Sequence, residues 1–167
     1  HQMIEEAMIA ANICAITFVK SSIGISINRF HDKPDTDKLL ALFEKFQSLG
    51  LKKSDDPIIL LQRCIEIAKR NENAASLQSL ILQGLPRAIY SSKKSGHFGL
   101  QLEEYSHFTS PIRRYPDLII HRLIKSILKK EKVSFDEELF EEECNELSNL
   151  EKSCLLYTSP SPRDLRA

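Results

Sequence analysis

The sequence predicts an α+β fold that is mainly helical, with one short β-hairpin. Three observations carry that prediction. Apolar residues recur at three- and four-residue steps over most of the chain, Asp, Pro and Gly stand at cap positions between those stretches, and the helical period breaks at short β-prone pieces. The 167 residues suffice for one domain with a real core, and 42% hydrophobic with 28% charged is an ordinary composition for a soluble globular protein.

The first helix is expected over residues 2–19, burying a face made of Ile4, Ala7, Met8, Ala11, Cys14, Ala15 and Phe18, with Glu5, Glu6 and Asn12 away from its centre. After Gly24 the stretch ISINRF is β-prone, and Pro34 with Asp35 forms a turn leading into a second helix at 36–48. That helix is expected to bury Leu39, Leu40, Phe43 and Phe46 and to stop at Gly50. Asp56 caps the next helix, with Pro57 in its first turn, and a further helix at 74–83 carries Leu77, Leu80 and Ile81. Residues 88–102, AIYSSKKSGHFGLQL, place two short apolar pieces around a Ser/Lys/Gly turn and are the hairpin candidate. From Tyr115 a helix resumes with Leu118, Ile120, Leu123, Ile124, Ile127 and Leu128 inward. Ser134 and Glu137 make a capping box for the last helix, which turns Phe140, Cys144, Leu147 and Leu150 inward. From Tyr157 onward Ser, Pro and Arg replace periodicity, and neither helix nor strand is predicted.

Lys+Arg and Asp+Glu each number 23, so any anion site must be local. Residues 113–132 are rich in Arg and Lys, whereas 136–146, DEELFEEECNE, are strongly acidic. Cys14, Cys64, Cys144 and Cys154 show no metal-ligand or redox spacing, and reduced thiols are expected. No apolar run reaches the roughly 18 residues of a membrane span, and no signal core is read at the N-terminus. These features point to a cytoplasmic protein without a membrane partner. The chain opens on His1, directly in a helical pattern, so it is expected to be a piece of a longer protein.

The chemistry concentrates in HFTSPIRRYPD, residues 107–117. Two guanidinium forks, the hydroxyls of Thr109 and Ser110 and a helix start at Pro116 together suit a phosphodiester. Asp117 supports the competing reading, in which it pairs with an arginine and makes the motif structural. Glu5 and Glu6 are either solvated or acceptors for sugar hydroxyls. His97, Phe98 and Gly99 offer a close approach to a backbone or, equally, core packing, and His121 reads as a core histidine. The aspartates fall at turns and caps, so no metal cage is expected within this chain.

HFTSPIRRYPDLIIHR, with SGHFGL before it and HQMIEEAMIAAN and RFHDKP far upstream, resembles the ribonuclease II/ribonuclease R family of processive 3′-to-5′ exoribonucleases, over residues 1–152. HDKP and RRYPD lean toward the ribonuclease R side. The resemblance implies the C-terminal part of a larger exoribonuclease catalytic domain, with residues 153–167 a tail outside the family pattern, disordered or artefactual. It implies a monomeric parent that hydrolyses single-stranded RNA to nucleoside 5′-monophosphates, using Mg²⁺ held by aspartates upstream of this chain, so that the chain alone is inactive. By position, Arg113 matches the arginine at the scissile phosphate and Glu5 a glutamate that reads ribose; Thr109, Ser110, Arg114 and His97 are the further RNA-binding candidates. A non-catalytic RNA-binding relative of the same fold is the alternative.

Overall fold

The computed structural model describes residues 1–52, 54, 56–134 and 136–158, with side chains to 154. The chain forms two compact units, one built from His1–His31 together with the chain from Ala88 onward, the other from Asp32–Arg87. The fold class is the expected one, helical with a short antiparallel ladder.

In the first unit α1 spans Gln2–Ile23 and ends where Gly24 takes φ 78°, donating its N–H to the Lys20 carbonyl. α1 buries Asn12, Ala15, Ile16 and Val19, while Ile4, Met8 and Phe18 are exposed. The inward face is therefore rotated from the one periodicity predicts, because Asn12 makes buried hydrogen bonds that draw it toward the core. At 22 residues α1 is also long and apolar enough to cross a membrane by length and composition, contrary to the sequence-based expectation. Two of its polar side chains bond elsewhere in the unit all the same, Asn12 to Tyr105 and Lys20 to Glu104.

Strand β1, Asn28–Phe30, pairs antiparallel with β2, Ile89–Ser91, in the register Asn28↔Ser91, Arg29↔Tyr90 and Phe30↔Ile89. The ladder is thus closed between segments far apart in sequence rather than within 88–102. The second half of that stretch instead folds into a 3₁₀ turn at Phe98–Leu100, held by His97 N–H to the Leu102 carbonyl at 2.7 Å. α5, Tyr115–Leu128, buries Ile120 and Leu123 but leaves Leu128 exposed. α6, Glu137–Thr158, is capped by Asp136, whose Oδ1 accepts from the N–H groups of Glu138 and Leu139, in place of the expected Ser134 box. α6 runs past residue 152 and Tyr157; the tail expectation for 159–167 lies outside the described residues. Leu150 faces outward, and Ser148 is buried because its Oγ accepts the Tyr90 N–H at 2.8 Å. Ala15, Val19, Ile27, Tyr90, Ile120, Leu123, Phe140 and Cys144 make the core between these elements.

The second unit holds α2 (Thr36–Gln47), α3 (Pro57–Lys69) and α4 (Ala74–Gly84). Asp35 caps α2 and Asp56 caps α3, whose first residue is Pro57. Leu42 and Phe46 of α2 are buried, whereas Leu40, expected inside, is half exposed.

Candidate anion site around the arginine turn

Residues 110–114 form a tight turn in which the N–H groups of Arg113 and Arg114 both point at the Ser110 carbonyl, at 3.3 and 3.1 Å. Pro111 limits the freedom of the turn, and Pro116 sits in the first turn of α5, where its missing N–H costs nothing. The turn is closed from below by Asp117, which is fully buried. Its Oδ1 accepts both the Ser110 N–H at 2.7 Å and Arg114 Nη2 at 2.8 Å. A carboxylate in the core thus holds the first and last residues of the turn together, and the Arg114 cation balances its charge. Arg113, one residue earlier, is exposed and makes no ion pair among the described residues. Of the two guanidinium groups, one braces and one projects.

Around this brace Thr109 Oγ1, Arg114 Nε and Asp117 Oδ2 are buried without a hydrogen-bond partner among the described residues. α5 has no side-chain cap, since its N-cap residue is Arg114.

The segment leading into the turn is fixed from several sides. Asn12 of α1 donates Nδ2–H to Tyr105 Oη at 2.9 Å and accepts the N–H groups of Phe108 and Thr109 on Oδ1 at 2.9 and 3.2 Å. His121 of α5 donates Nε2–H to the Phe108 carbonyl at 3.0 Å and stacks on the Phe108 ring with centroids 4.2 Å apart. The structural role read for His121 is the one it has. His107 Nδ1 is hydrogen-bonded to Tyr90 Oη at 2.9 Å. Burial first, then the cations of Arg114 and Arg29, pushes His107 down to about 3, so the ring is neutral at physiological pH. Burial also pushes the Tyr90 phenol up to about 12. Arg29 lies 4.5 Å from the Tyr90 ring centre and forms a two-pronged ion pair with Glu151 of α6 at 2.7 and 3.0 Å.

His97 lies one step further along the same row of rings, 5.4 Å from Tyr105 and 4.9 Å from His31 between centroids. Its Nδ1 accepts the Leu100 N–H, and burial with the neighbouring His31 and Arg29 pushes its pKa down to about 4. Gly99 donates to His31 Nδ1 at 3.0 Å, and a Cβ at that position would stand 2.9 Å from the same nitrogen. The close approach for which Gly99 leaves room is that of a histidine ring.

Ser110, Arg113 and Arg114 are therefore brought together on one turn with Thr109 just before it, whereas His97 packs on Tyr105, which is linked to Thr109 through Asn12. Glu5 is exposed in the first turn of α1. Sequence reasoning missed Asn12, Tyr90, Tyr105 and Arg29. Asn12 had a signal: an amide inside an apolar helical run is costly unless it is hydrogen-bonded. The pairing of Arg29 with a glutamate 122 positions away had none. Among the described residues no group of three or more His, Cys, Asp or Glu is arranged to hold a metal ion.

Residues 1–130 match the family model described as the RNB domain. Ribonuclease R of Escherichia coli strain K12 is 42% identical over 135 residues, covering 78% of this chain and 16% of that protein. Ribonuclease R of Aquifex aeolicus strain VF5 is 38% identical over 157 residues, covering 91% of this chain and 22% of its own length. Mycoplasma genitalium RNase R in complex with ribose-methylated single-stranded RNA superimposes with a TM-score of 0.69 at 28% identity, over 88% of this chain and 24% of that one. Yeast Ssd1, a pseudonuclease, shares the fold with a TM-score of 0.70 at 24% identity, over 87% of this chain and 19% of that one. The chain spans about a sixth to a quarter of the length of these relatives.

Proposed function

The chain belongs to the RNB-domain family of ribonuclease II/R type, and from that premise we propose that residues 1–152 are the C-terminal part of the catalytic domain of a monomeric, cytoplasmic 3′-to-5′ exoribonuclease. The parent protein would hydrolyse single-stranded RNA to nucleoside 5′-monophosphates.

The observation that carries this reading is the division of labour in the turn. Asp117 engages Arg114 at 2.8 Å and leaves Arg113 exposed, so the projecting fork is held by a buried brace without being consumed by it. A guanidinium presented in this way binds the nonbridging oxygens of a phosphodiester and offsets the charge that develops on them. Ser110 supplies a hydroxyl on the same turn, and Thr109, just before it, reaches RNA with its buried Oγ1 only if the segment shifts on binding. Glu5 on α1 accepts a 2′-hydroxyl, which favours RNA over DNA, and His97 lines the approach. The Mg²⁺ that the family implies has no donor set among the described residues; its ligands would belong to other parts of the parent, and the chain alone would be inactive.

A non-catalytic RNA-binding relative remains the second reading, favoured by one observation: Ssd1, a pseudonuclease, has the same fold over this region. Single-turnover cleavage by the full-length parent, paired with separate RNA-binding titrations, tests the first reading against the second. Arg113→Ala is expected to lower the cleavage rate by roughly 10²- to 10³-fold with a much smaller change in affinity, and Arg113→Lys to rescue poorly. A large loss of affinity at unchanged single-turnover rate would leave only a binding role.

A further inference from the structure

We propose that Asn12 is the positioning residue that sets the spacing between Glu5 and the arginine turn, and thereby the discrimination between ribose and deoxyribose at the 3′ end of the substrate. The proposal deepens the reading of Glu5 and Arg113 given above and rests on it. Glu5 and Arg113 lie on different elements, and the segment carrying the turn is irregular from Glu103 to Arg114. An irregular segment holds no fixed register against a helix unless side chains impose one.

Other bonds tie the segment to β1 and α5; against α1, Asn12 sets the register with three hydrogen bonds from one buried amide, to Tyr105 Oη and to the N–H groups of Phe108 and Thr109. The Lys20–Glu104 ion pair at 2.7 Å holds the same segment eight residues further along α1. Residues 104–109 therefore run along α1 from Lys20 toward Asn12, the sense that leads to its N-terminus and Glu5. Glu5 precedes Asn12 by seven residues, which places it about two turns, or 10 Å, along the axis and within about 20° of the same stripe. A slip of one residue between α1 and the segment would swing Glu5 by about 100° relative to the turn.

The chemistry of the amide suits this task better than an apolar contact. Oδ1 takes two successive N–H groups, which defines the segment along its length, and Nδ2 takes a tyrosine oxygen, which defines it across. A leucine of similar size fills the space and defines neither. Aspartate keeps both acceptor bonds and receives the Tyr105 O–H in place of the donated N–H, so it preserves the register.

The test uses the full-length parent and two labelled oligonucleotides, one all-ribose and one with a single 2′-deoxyribose at the 3′ end. Asn12→Leu is expected to lower the single-turnover rate on the all-ribose substrate by about 10²-fold, the scale of a 1 Å misplacement. The rate on the deoxy substrate should fall much less, so that the preference for ribose shrinks at least tenfold. Asn12→Asp should restore most of that preference. A merely structural role would lower the melting temperature and scale both rates together, leaving the ratio unchanged, and that outcome overturns the proposal. Should Asn12→Leu fail to fold, Tyr105→Phe removes only the Nδ2 acceptor; an unchanged ratio in that variant also overturns it. Failure of the underlying reading looks different, since Arg113→Ala would then leave the single-turnover rate intact whatever Asn12 does.

Discussion

The two units of the chain are stabilised in different ways. Among the described residues of Asp32–Arg87 the buried ones are Pro34, Leu42, Phe46, Leu51, Leu60, Leu61, Cys64, Ala68 and Ile81, all of them apolar side chains on or beside three helices. The buried polar residues among those described, Asn12, Ser26, Asn28, Ser91, Ser106, Asp117 and Ser148, all belong to the other unit, together with all five histidines. Apolar burial is non-directional and tolerates variation, whereas a buried amide or carboxylate must meet its partners at fixed distances or lose its desolvation energy outright. The polar unit is the one that carries the arginine turn. A site that must hold a guanidinium in one place is better served by directional bonds than by additional leucines.

Asp117→Ala is the sharpest way to break this contrast. It leaves the Ser110 N–H without its acceptor and Arg114 without its counter-charge, and removing one partner of such a pair costs about 3–5 kcal/mol. Chemical denaturation of the parent should show the loss, and hydrogen exchange should place it in α1, α5 and the β1–β2 ladder rather than in α2–α4. Loss of protection spread equally over both units would show that the division is not energetic.

The next effect is an acid sensitivity confined to one unit. His97 at about 4 and His107 at about 3 are both depressed from the ordinary 6.5, in each case chiefly by burial. A histidine whose folded value is depressed contributes its full stability above pH 6.5, and that contribution declines as the pH falls through the window down to about 3–4. The buried neutral rings then have to accept charge. Near-UV circular dichroism follows this directly, because Tyr90, Tyr105 and Tyr115 lie in the same unit and Asp32–Arg87 contains neither tyrosine nor histidine. His107→Gln should flatten the titration. A denaturation midpoint, followed by that tyrosine signal, that stays constant from pH 6.5 to pH 4 in the unaltered protein would mean that the rings are wetter than the structure shows.

The same contrast explains what the sequence made legible. α2, α3 and α4 appear within one or two residues of their expected bounds, because Asp35, Asp56 and Pro57 act locally and the apolar period is undisturbed. The arginine turn was also local, and its brace by Asp117 spans only seven residues at Ser110 and three at Arg114. Apart from the Asp136 cap and the length of α6, what escaped was long-range. The partner of β2 lies some 60 residues upstream, Asn12 reaches residues 93 to 97 positions away, and Arg29 reaches Glu151. No periodicity encodes such pairings, and Asn12, weighed only as one position on an amphipathic helix, falls on the wrong side of it.

The smallest predicted effect tests whether the locality of the apolar unit is real. Asp56 Oδ1 accepts the Ile58 N–H at 2.8 Å and is the side-chain cap of α3, whereas α5 in the other unit begins at Arg114 with no side-chain cap. Asp56→Ala should therefore cost about 1 kcal/mol, the usual worth of a lost N-cap, and should raise exchange in the first turn of α3. α5 gains nothing from Asp56, so its exchange and the cleavage rate of the proposed exoribonuclease should be untouched. Asp35→Ala should cost less, since its bond to Asp37 N is longer at 3.2 Å. If Asp56→Ala instead slowed cleavage or loosened α5, helix capping in Asp32–Arg87 would be coupled to the arginine turn, and stabilisation in the two units could no longer be treated as separate.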